Sequence, residues 1–132
     1  MGLLRILVVD DEEDFRELTG KRLARRGYTV RTAGSCQEAL AHLTREPAEV
    51  VVLDVKLPDR DGIDCLVTIR ERWPAVAVIM LTGHASVSAG LLGLERGASD
   101  YCLKPLELAA LVEKIEIAAR DRELPLGPPR GT

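Results

Sequence analysis

Apolar and polar positions alternate in blocks along the chain, and these blocks predict five strands, each followed by a helix. Four of the predicted strands, at about residues 5–10, 49–54, 76–81 and 100–103, are nearly continuous apolar runs. Such runs are typical of strands that are buried on both faces of a parallel sheet. The remaining strand, at about residues 28–33, alternates with polar residues, as we expect of an edge strand.

The segments between the strands carry apolar residues at helical spacing, and local signals mark their ends. The first predicted helix, at about residues 12–26, begins with acidic and ends with basic residues, which suits the helix dipole. The second opens at Ser35-Cys36-Gln37-Glu38, a capping box. The third ends at Trp73-Pro74, because proline disfavours helix at the residue before it. The fourth covers about residues 85–96, and the fifth follows the last strand.

This repeat predicts an α/β fold of the (βα)5 kind, a doubly wound five-stranded parallel sheet with right-handed crossovers and helices on both faces. The chain has 132 residues, enough for one domain with a sizeable core. Residues 122–132 are rich in Pro and Gly, and we interpret them as a tail or the start of a linker. The domain is therefore predicted to occupy residues 1–121.

Four of the strands end at side chains that can carry chemistry. Asp10 and Asp11 follow the first strand, Asp54 ends the third, Thr82 follows the fourth and Lys104 follows the fifth. The carboxyl ends of parallel strands meet at one edge of the sheet, where ligands bind in folds of this kind. Three carboxylates, one hydroxyl and one ammonium at that edge predict a site for a magnesium ion and a phosphoryl group.

The composition narrows the possible functions. The formal net charge is −3, which gives no general attraction to nucleic acid or anionic membranes. No apolar run approaches the length of a membrane span, and the amino terminus lacks a signal-peptide pattern. We therefore expect no direct nucleic-acid binding, no membrane association and a cytoplasmic location. Cys36, Cys65 and Cys102 are scattered without metal-ligand spacing, and we interpret them as buried thiols.

Four segments of the chain together resemble the receiver domain of bacterial two-component response regulators. The segments are Asp10-Asp11, residues 54–62, Leu81-Thr82-Gly83 and residues 97–105. Each is weak alone, but all four occur in order and at predicted strand ends, and the resemblance extends from about Arg5 to about Ala119. It implies the strand order 2-1-3-4-5, with the reversal of strand order beside Asp11 and Asp54.

The resemblance also implies a role for each residue of the predicted site. Asp54 would accept the phosphoryl group, as a carboxylate can in forming an acyl phosphate. Mg²⁺ would be bound by the carboxylates of Asp11 and Asp54, by the backbone carbonyl of Lys56 and, through water, by Asp10. Lys104 and Thr82 would contact the phosphoryl oxygens. Within the loop after Asp54, Asp61-Gly62 is predicted to be only a turn, and Asp59 a solvated loop residue.

A conformational switch is implied as well. Thr82 would move toward the phosphoryl group and Tyr101 would move into the space behind it, which changes the face formed by the fourth helix, fifth strand and fifth helix. That face would bind an output domain or a second copy of the chain.

Lys56 and His84 are hypothesised to modulate the lifetime of the phosphoryl group; the alternative is that both point to solvent. Gly90 and Gly93, predicted inside the fourth helix, would each cost about 1 kcal/mol relative to Ala.

The predicted partner is a sensor histidine kinase or a phosphotransfer protein, and the predicted function is signalling rather than enzymatic turnover.

An alternative is a phosphatase of the haloacid dehalogenase-like kind, which also uses an aspartyl nucleophile and Mg²⁺. Those enzymes have a second Asp two residues after the nucleophile, where this chain has Lys56. A third interpretation, a flavin carrier, conflicts with Asp10-Asp11-Glu12-Glu13, which would repel phosphate after the first strand.

Overall fold

Five strands alternate with five helices in the computed structural model, which describes residues 4–83 and 87–123. The strands are β1 (Arg5–Val9), β2 (Thr29–Ala33), β3 (Val50–Asp54), β4 (Ala77–Thr82) and β5 (Asp100–Leu103). The helices are α1 (Glu13–Arg25), α2 (Cys36–Arg45), α3 (Gly62–Arg72), α4 (Val87–Glu95) and α5 (Leu108–Glu123). Because α5 continues to Glu123, it extends past residue 121, and the domain boundary proposed there stays a prediction.

All five strands are parallel and lie in the order β2-β1-β3-β4-β5. The predicted α/β fold class and strand order are therefore confirmed. In the register of the sheet, Val9 lies beside Leu53, and Asp54 lies beside Leu81. Strand order reverses between β1 and β3, so the ends of these two strands border the crevice in which doubly wound folds bind ligands.

Each face of the sheet carries its own apolar core. Alternate residues of β1 and β3 point to opposite faces, as the pleat of a strand requires. Leu7 and Leu53 belong to the core under α2 and α3, whereas Ile6 and Val52 belong to the core under α1 and α5. The strands are consequently buried on both sides, which is the physical reason for their nearly continuous apolar sequences.

The helix ends follow the predicted local signals. The hydroxyl of Ser35 accepts a hydrogen bond from the Glu38 N–H at 3.1 Å, as predicted for a capping box. In a capping box the Glu38 carboxylate would accept from the Ser35 N–H. Here it accepts from the N–H of Gly34, one residue earlier. α3 ends at Arg72, and the N–H of the C-cap residue Trp73 donates to the carbonyl of Ile69.

The loop between β3 and α3 is more ordered than the predicted turn. Asp59 is exposed, but its carboxylate accepts hydrogen bonds from the Cys36 and Gln37 N–H groups at 3.0 and 2.9 Å. Asp61 is the N-cap of α3 and accepts from the Ile63 N–H at 2.8 Å. Asp59 is thus a solvated loop residue as predicted, with two hydrogen bonds in addition, whereas the prediction that Asp61-Gly62 is only a turn was wrong. The two carboxylates bind the free amides at the starts of α2 and α3.

The prediction of three buried thiols was also wrong for two of the cysteines. Cys36 and Cys65 form a disulfide that joins α2 to α3, and Cys102 is a buried free thiol. Sequence spacing did not indicate the pairing, because the two cysteines are 29 residues apart and become neighbours only when α2 and α3 pack on the same face of the sheet. Among the described residues, no helix is long and apolar enough to cross a membrane.

Candidate functional site

Three carboxylates meet where β1 and β3 end. Asp10 and Asp11 directly follow β1, and Asp54 is the last residue of β3. Each offers an oxygen, and these oxygens lie within 4.8 Å of one another. Asp10 and Asp54 are buried, at 0% and 6% exposure, whereas Asp11 is exposed. The pairing of β1 with β3 brings the three carboxylates together, as the sequence predicted.

The ammonium group of Lys104 lies among these carboxylates. Its Nζ atom is 2.7 Å from Asp10 Oδ2, 3.1 Å from Glu12 Oε1 and 3.3 Å from Asp54 Oδ2. The residue follows β5, which lies at one edge of the sheet, so its long side chain extends over β4 to reach the acids. The Lys104–Pro105 peptide bond is cis. Lys104 is thus the counter-charge of the acidic cluster in the described structure.

Burial and charge alter the ionisation of this group of residues. Burial raises the pKa of Asp10 to about 6, and the charge of Asp54 adds to this, although hydrogen bonds from Lys104 and the Glu12 N–H oppose it. Burial opposes the charge of Lys104, but the contacts with Asp10, Asp54 and Glu12 outweigh it, so the pKa of Lys104 lies above its ordinary value. The carboxylates therefore favour a positive charge at this site, which suits the binding of a cation. The charge of Lys104 in turn suits the binding of a phosphoryl group.

Thr82 provides an unused hydrogen-bond donor beside Asp54. It is the last residue of β4 and only 1% exposed, and its Oγ1 has no hydrogen-bond partner among the described residues. Its carbonyl accepts from the Lys104 N–H at 2.7 Å. A buried hydroxyl without a partner is costly. An acceptor that enters the site can therefore gain a hydrogen bond from it.

The other predicted site residues surround this centre. Lys56 is exposed, and its backbone N–H donates to Asp54 Oδ1 at 3.1 Å. Tyr101 is half-buried on β5, where its ring covers Gly90 of α4 so closely that a Cβ at residue 90 would overlap it. His84 lies outside the described residues. Gly62 is also required sterically, because a Cβ there would overlap the carbonyl oxygen of Asp54.

Three further residues contact the site and were not predicted to do so: Glu12, the N-cap of α1, and Phe15 and Arg16 within α1. Glu12 and Phe15 both contact Lys104, whose Nζ lies 4.4 Å from the centre of the Phe15 ring. Arg16 donates to the carbonyl of Asp10 at 2.9 Å. Since Lys104 is 92 positions from Glu12 in the chain, no local pattern could have indicated its contacts with Glu12 and Phe15.

An open cleft lies over the acids. Its volume is about 980 Å³, and the lining includes Asp54, Thr82 and Lys104. Apolar side chains from α1 and from the segment after β5, among them Phe15 and Leu106, form part of its wall. Asp11 and Asp54, which line the cleft, are thus accessible to a group carried by another molecule.

Comparison with known proteins identifies the family. The family model described as "Response regulator receiver domain" matches residues 6–116. The chain belongs to the response regulator receiver family. The receiver resemblance seen in the four sequence segments is therefore confirmed.

Related proteins are longer than this receiver domain. It is 37% identical to the response regulator protein PilR of Pseudomonas aeruginosa, over 92% of this chain and 27% of PilR. It is 39% identical to the alkaline phosphatase synthesis transcriptional regulatory protein PhoP of Bacillus subtilis, over 91% of this chain and 53% of PhoP. The receiver domain thus spans between about a quarter and about half of these relatives.

Solved structures show the same fold. A CheY-like response regulator receiver domain protein from Methanospirillum hungatei is similar with a TM-score of 0.86 and 34% identity, over 92% of this chain and 98% of that one. The receiver domain of NtrX from Brucella abortus gives a TM-score of 0.84 and 34% identity, over 87% of this chain and 98% of that one. Both neighbours are receiver domains over nearly their full length.

Proposed function

We propose that this receiver domain is a signalling switch that accepts a phosphoryl group on Asp54 from a sensor histidine kinase or a phosphotransfer protein. The observation that carries the proposal is the set of donors around the Asp54 carboxylate. Lys104 Nζ lies 3.3 Å from it, and Thr82 holds a buried hydroxyl that has no partner among the described residues. These groups are suited to the negative oxygens of a phosphoryl group.

The transfer is an attack of an Asp54 carboxylate oxygen on phosphorus. The new O–P bond gives an acyl phosphate, the bond from phosphorus to the donor breaks, and the donor leaves with the bonding electron pair. Lys104 stays protonated throughout, since its pKa lies above the ordinary value, and supplies positive charge to the phosphoryl oxygens. Thr82 then donates to one of these oxygens.

The residues at the site fit a magnesium ion. Asp10, Asp11 and Asp54 offer three carboxylates within 4.8 Å of one another, and Mg²⁺ prefers oxygen ligands, typically one or two carboxylates with waters and phosphate oxygens. We assign the carboxylates of Asp11 and Asp54 and the carbonyl of Lys56 as ligands, with Asp10 acting through water. When bound, Mg²⁺ neutralises negative charge that would otherwise repel the phosphoryl donor.

The switch converts this local change into a change of surface. Thr82 moves toward the phosphoryl oxygen, and Tyr101 moves into the space that is vacated, which alters the face formed by α4, β5 and α5. That face already exposes large apolar side chains, which supports its use as a binding surface for an output domain or a second copy: Val87, Leu91, Leu94, Leu103 and Ile117.

Lys56 and His84 are proposed to tune the lifetime of the acyl phosphate from the mouth of the site. The exposure of Lys56, two residues after Asp54, supports this placement for Lys56. In Lys56→Ala and His84→Ala variants, the rate of phosphoryl loss should differ from that of the original chain. Unchanged rates in both variants would show that the two side chains only point to solvent.

The proposed function is tested by intact mass after incubation with acetyl phosphate and Mg²⁺. We expect one added phosphoryl group that is lost in base, requires Mg²⁺ and is absent from the Asp54→Asn variant. A beryllofluoride titration, followed by Trp73 fluorescence and by NMR, accompanies it, so that rapid loss of the phosphoryl group is not mistaken for failure. An adduct that persists in Asp54→Asn, or the absence of both adduct and beryllofluoride binding, would overturn the proposal.

A further inference from the structure

Glu12 occupies the N-cap position of α1 without capping the helix. Its extended backbone is that of an N-cap, but its side chain makes no cap hydrogen bond. Ser, Thr, Asp and Asn are the residues that usually cap this position through the side chain. The Glu12 backbone is engaged locally, since its N–H donates to Asp10 Oδ1 and its carbonyl accepts from the Arg16 N–H. The carboxylate is therefore free of any role in starting α1.

That carboxylate instead contacts Lys104. Glu12 Oε1 lies 3.1 Å from Lys104 Nζ, and the two residues are 92 positions apart in the chain. With Asp10 and Asp54, Glu12 brings the number of carboxylates around this ammonium to three. A lysine ammonium has three N–H donors. Lys104 thus donates to Glu12 and Asp54, and its Nζ forms an ion pair with Asp10, before any phosphoryl group arrives.

Glu12 differs from the other two carboxylates in one respect. Asp10 and Asp54 belong to the oxygen cluster suited to a cation, and Glu12 does not. A cation in that cluster would compete with Lys104 for Asp10 and Asp54, but it would leave the contact with Glu12 in place. The Glu12 side chain is 67% exposed and lines the cleft that also contains Asp54.

We infer that Glu12 is a positioning residue that holds Lys104 away from the incoming phosphoryl group and thereby slows phosphorylation of Asp54. The inference rests on the proposed function. It identifies Glu12 as a determinant of the rate at which Asp54 is phosphorylated. The contact with Glu12 keeps the Lys104 ammonium directed toward Glu12 when the phosphoryl group arrives, and removal of the Glu12 charge lets the ammonium move to the phosphoryl oxygens.

The test compares phosphorylation rate constants of Glu12→Gln and Glu13→Gln with that of the original chain, using acetyl phosphate and Mg²⁺. Glu13 is the matched control, because it is exposed in the first turn of α1 and is not among the residues that pair with Lys104. Exposed ion pairs contribute about 0.2–1 kcal/mol, which corresponds to a rate increase of up to about fivefold for Glu12→Gln. Glu13→Gln should match the original chain.

Two further measurements separate positioning from a general effect of charge or stability. Beryllofluoride with Mg²⁺ should bind Glu12→Gln more tightly than Glu13→Gln, by a similar factor. In a Lys104→Met background, Glu12→Gln should no longer change beryllofluoride affinity, because the effect acts through Lys104. Thermal unfolding of each variant shows that it is folded under the conditions of the assay.

The outcomes are distinct. Equal rates and affinities for Glu12→Gln and Glu13→Gln would overturn the inference and leave the proposed function intact. An effect of Glu12→Gln that persists without Lys104 would also overturn it. A chain that takes neither phosphoryl group nor beryllofluoride would overturn the proposed function, and the inference with it.

Discussion

Lys104 is the residue through which the charges of the site are balanced. It lies within 3.3 Å of three carboxylates, and its side chain is only 15% exposed. Removal of the Lys104 charge would leave the three carboxylates without compensation, whereas removal of one carboxylate leaves Lys104 with two partners. The acids that suit a cation therefore depend on Lys104 when no cation is bound.

Asp10 should make stability depend on pH when metal is removed with EDTA. Its pKa in the folded chain is raised to about 6, so protonation favours folding. Its contribution to stability is complete below about pH 4 and is lost as the pH rises through about 6. In urea denaturation, Asp10→Asn should therefore stabilise the chain by about 1–3 kcal/mol at pH 7.5 and by much less at pH 4.5.

The comparison of the two pH values provides the control for Asp10→Asn. Any other contact that the variant loses should change the free energy of unfolding by the same amount at both pH values. An equal difference in stability at pH 4.5 and pH 7.5 would contradict the raised pKa of Asp10.

At the scale of elements, the glycines of α4 have a different meaning from the one that propensity suggests. The sequence alone treats Gly90 and Gly93 as two destabilising residues in a helix. In the structure both are buried, and each lets another side chain approach α4 closely. Gly90 contacts the ring of Tyr101, and Gly93 contacts Met80 of β4. The glycines therefore place α4 against β4 and β5.

Gly90→Ala should destabilise the chain although alanine favours helix. The added Cβ would overlap three ring atoms of Tyr101, so the ring or the helix must move. We expect the free energy of unfolding to fall by about 1–3 kcal/mol, which is typical of overpacking, and the NMR signals of the Tyr101 ring to shift.

Gly93→Ala is the matched comparison for Gly90→Ala. Its Cβ would approach the flexible side chain of Met80 at 2.8 Å, which can adjust more readily than an aromatic ring. A smaller loss of stability is therefore expected for Gly93→Ala. If Gly90→Ala proved the more stable of the two variants, the packing of Tyr101 on Gly90 would be wrong.

At the scale of the whole molecule, two long-range links join α2 to the segment that follows β3. One is the disulfide from Cys36 to Cys65, and the other is the carboxylate of Asp59 at the start of α2. Both lie next to the loop that begins at Asp54. Asp54, the last residue of β3, thus lies at the start of a segment that is joined to α2 by these two links.

Reduction of the disulfide should lower the stability of the whole domain. It closes a segment with a sequence separation of 29 residues, for which chain-entropy arguments give about 3–4 kcal/mol. Urea denaturation with and without reductant measures this difference. Cys102→Ala is the control, since Cys102 is a free thiol: the effect of reductant should persist in that variant and disappear in Cys36→Ser. Equal stability of the oxidised and reduced chain would contradict the prediction.

The sequence by itself determined the fold class and most of the site. Continuous apolar strands and amphipathic helices leave few alternatives to a parallel sheet covered on both faces. That topology places the ends of the strands at one edge, so Asp10, Asp54 and Lys104 could be predicted as neighbours from their positions alone. The strand order came from the receiver resemblance, and the structure confirms it.

Only the tertiary structure decided which side chains meet across elements that are distant in the chain. The contact of Glu12 with Lys104, the pairing of Cys36 with Cys65 and the contact of the Tyr101 ring with Gly90 all depend on how helices pack on the sheet. Periodicity shows which side of an element is buried, but it carries no information about the rotation and distance of the neighbouring element. Those quantities are set by packing of the whole core, and they determine the contacts between particular atoms.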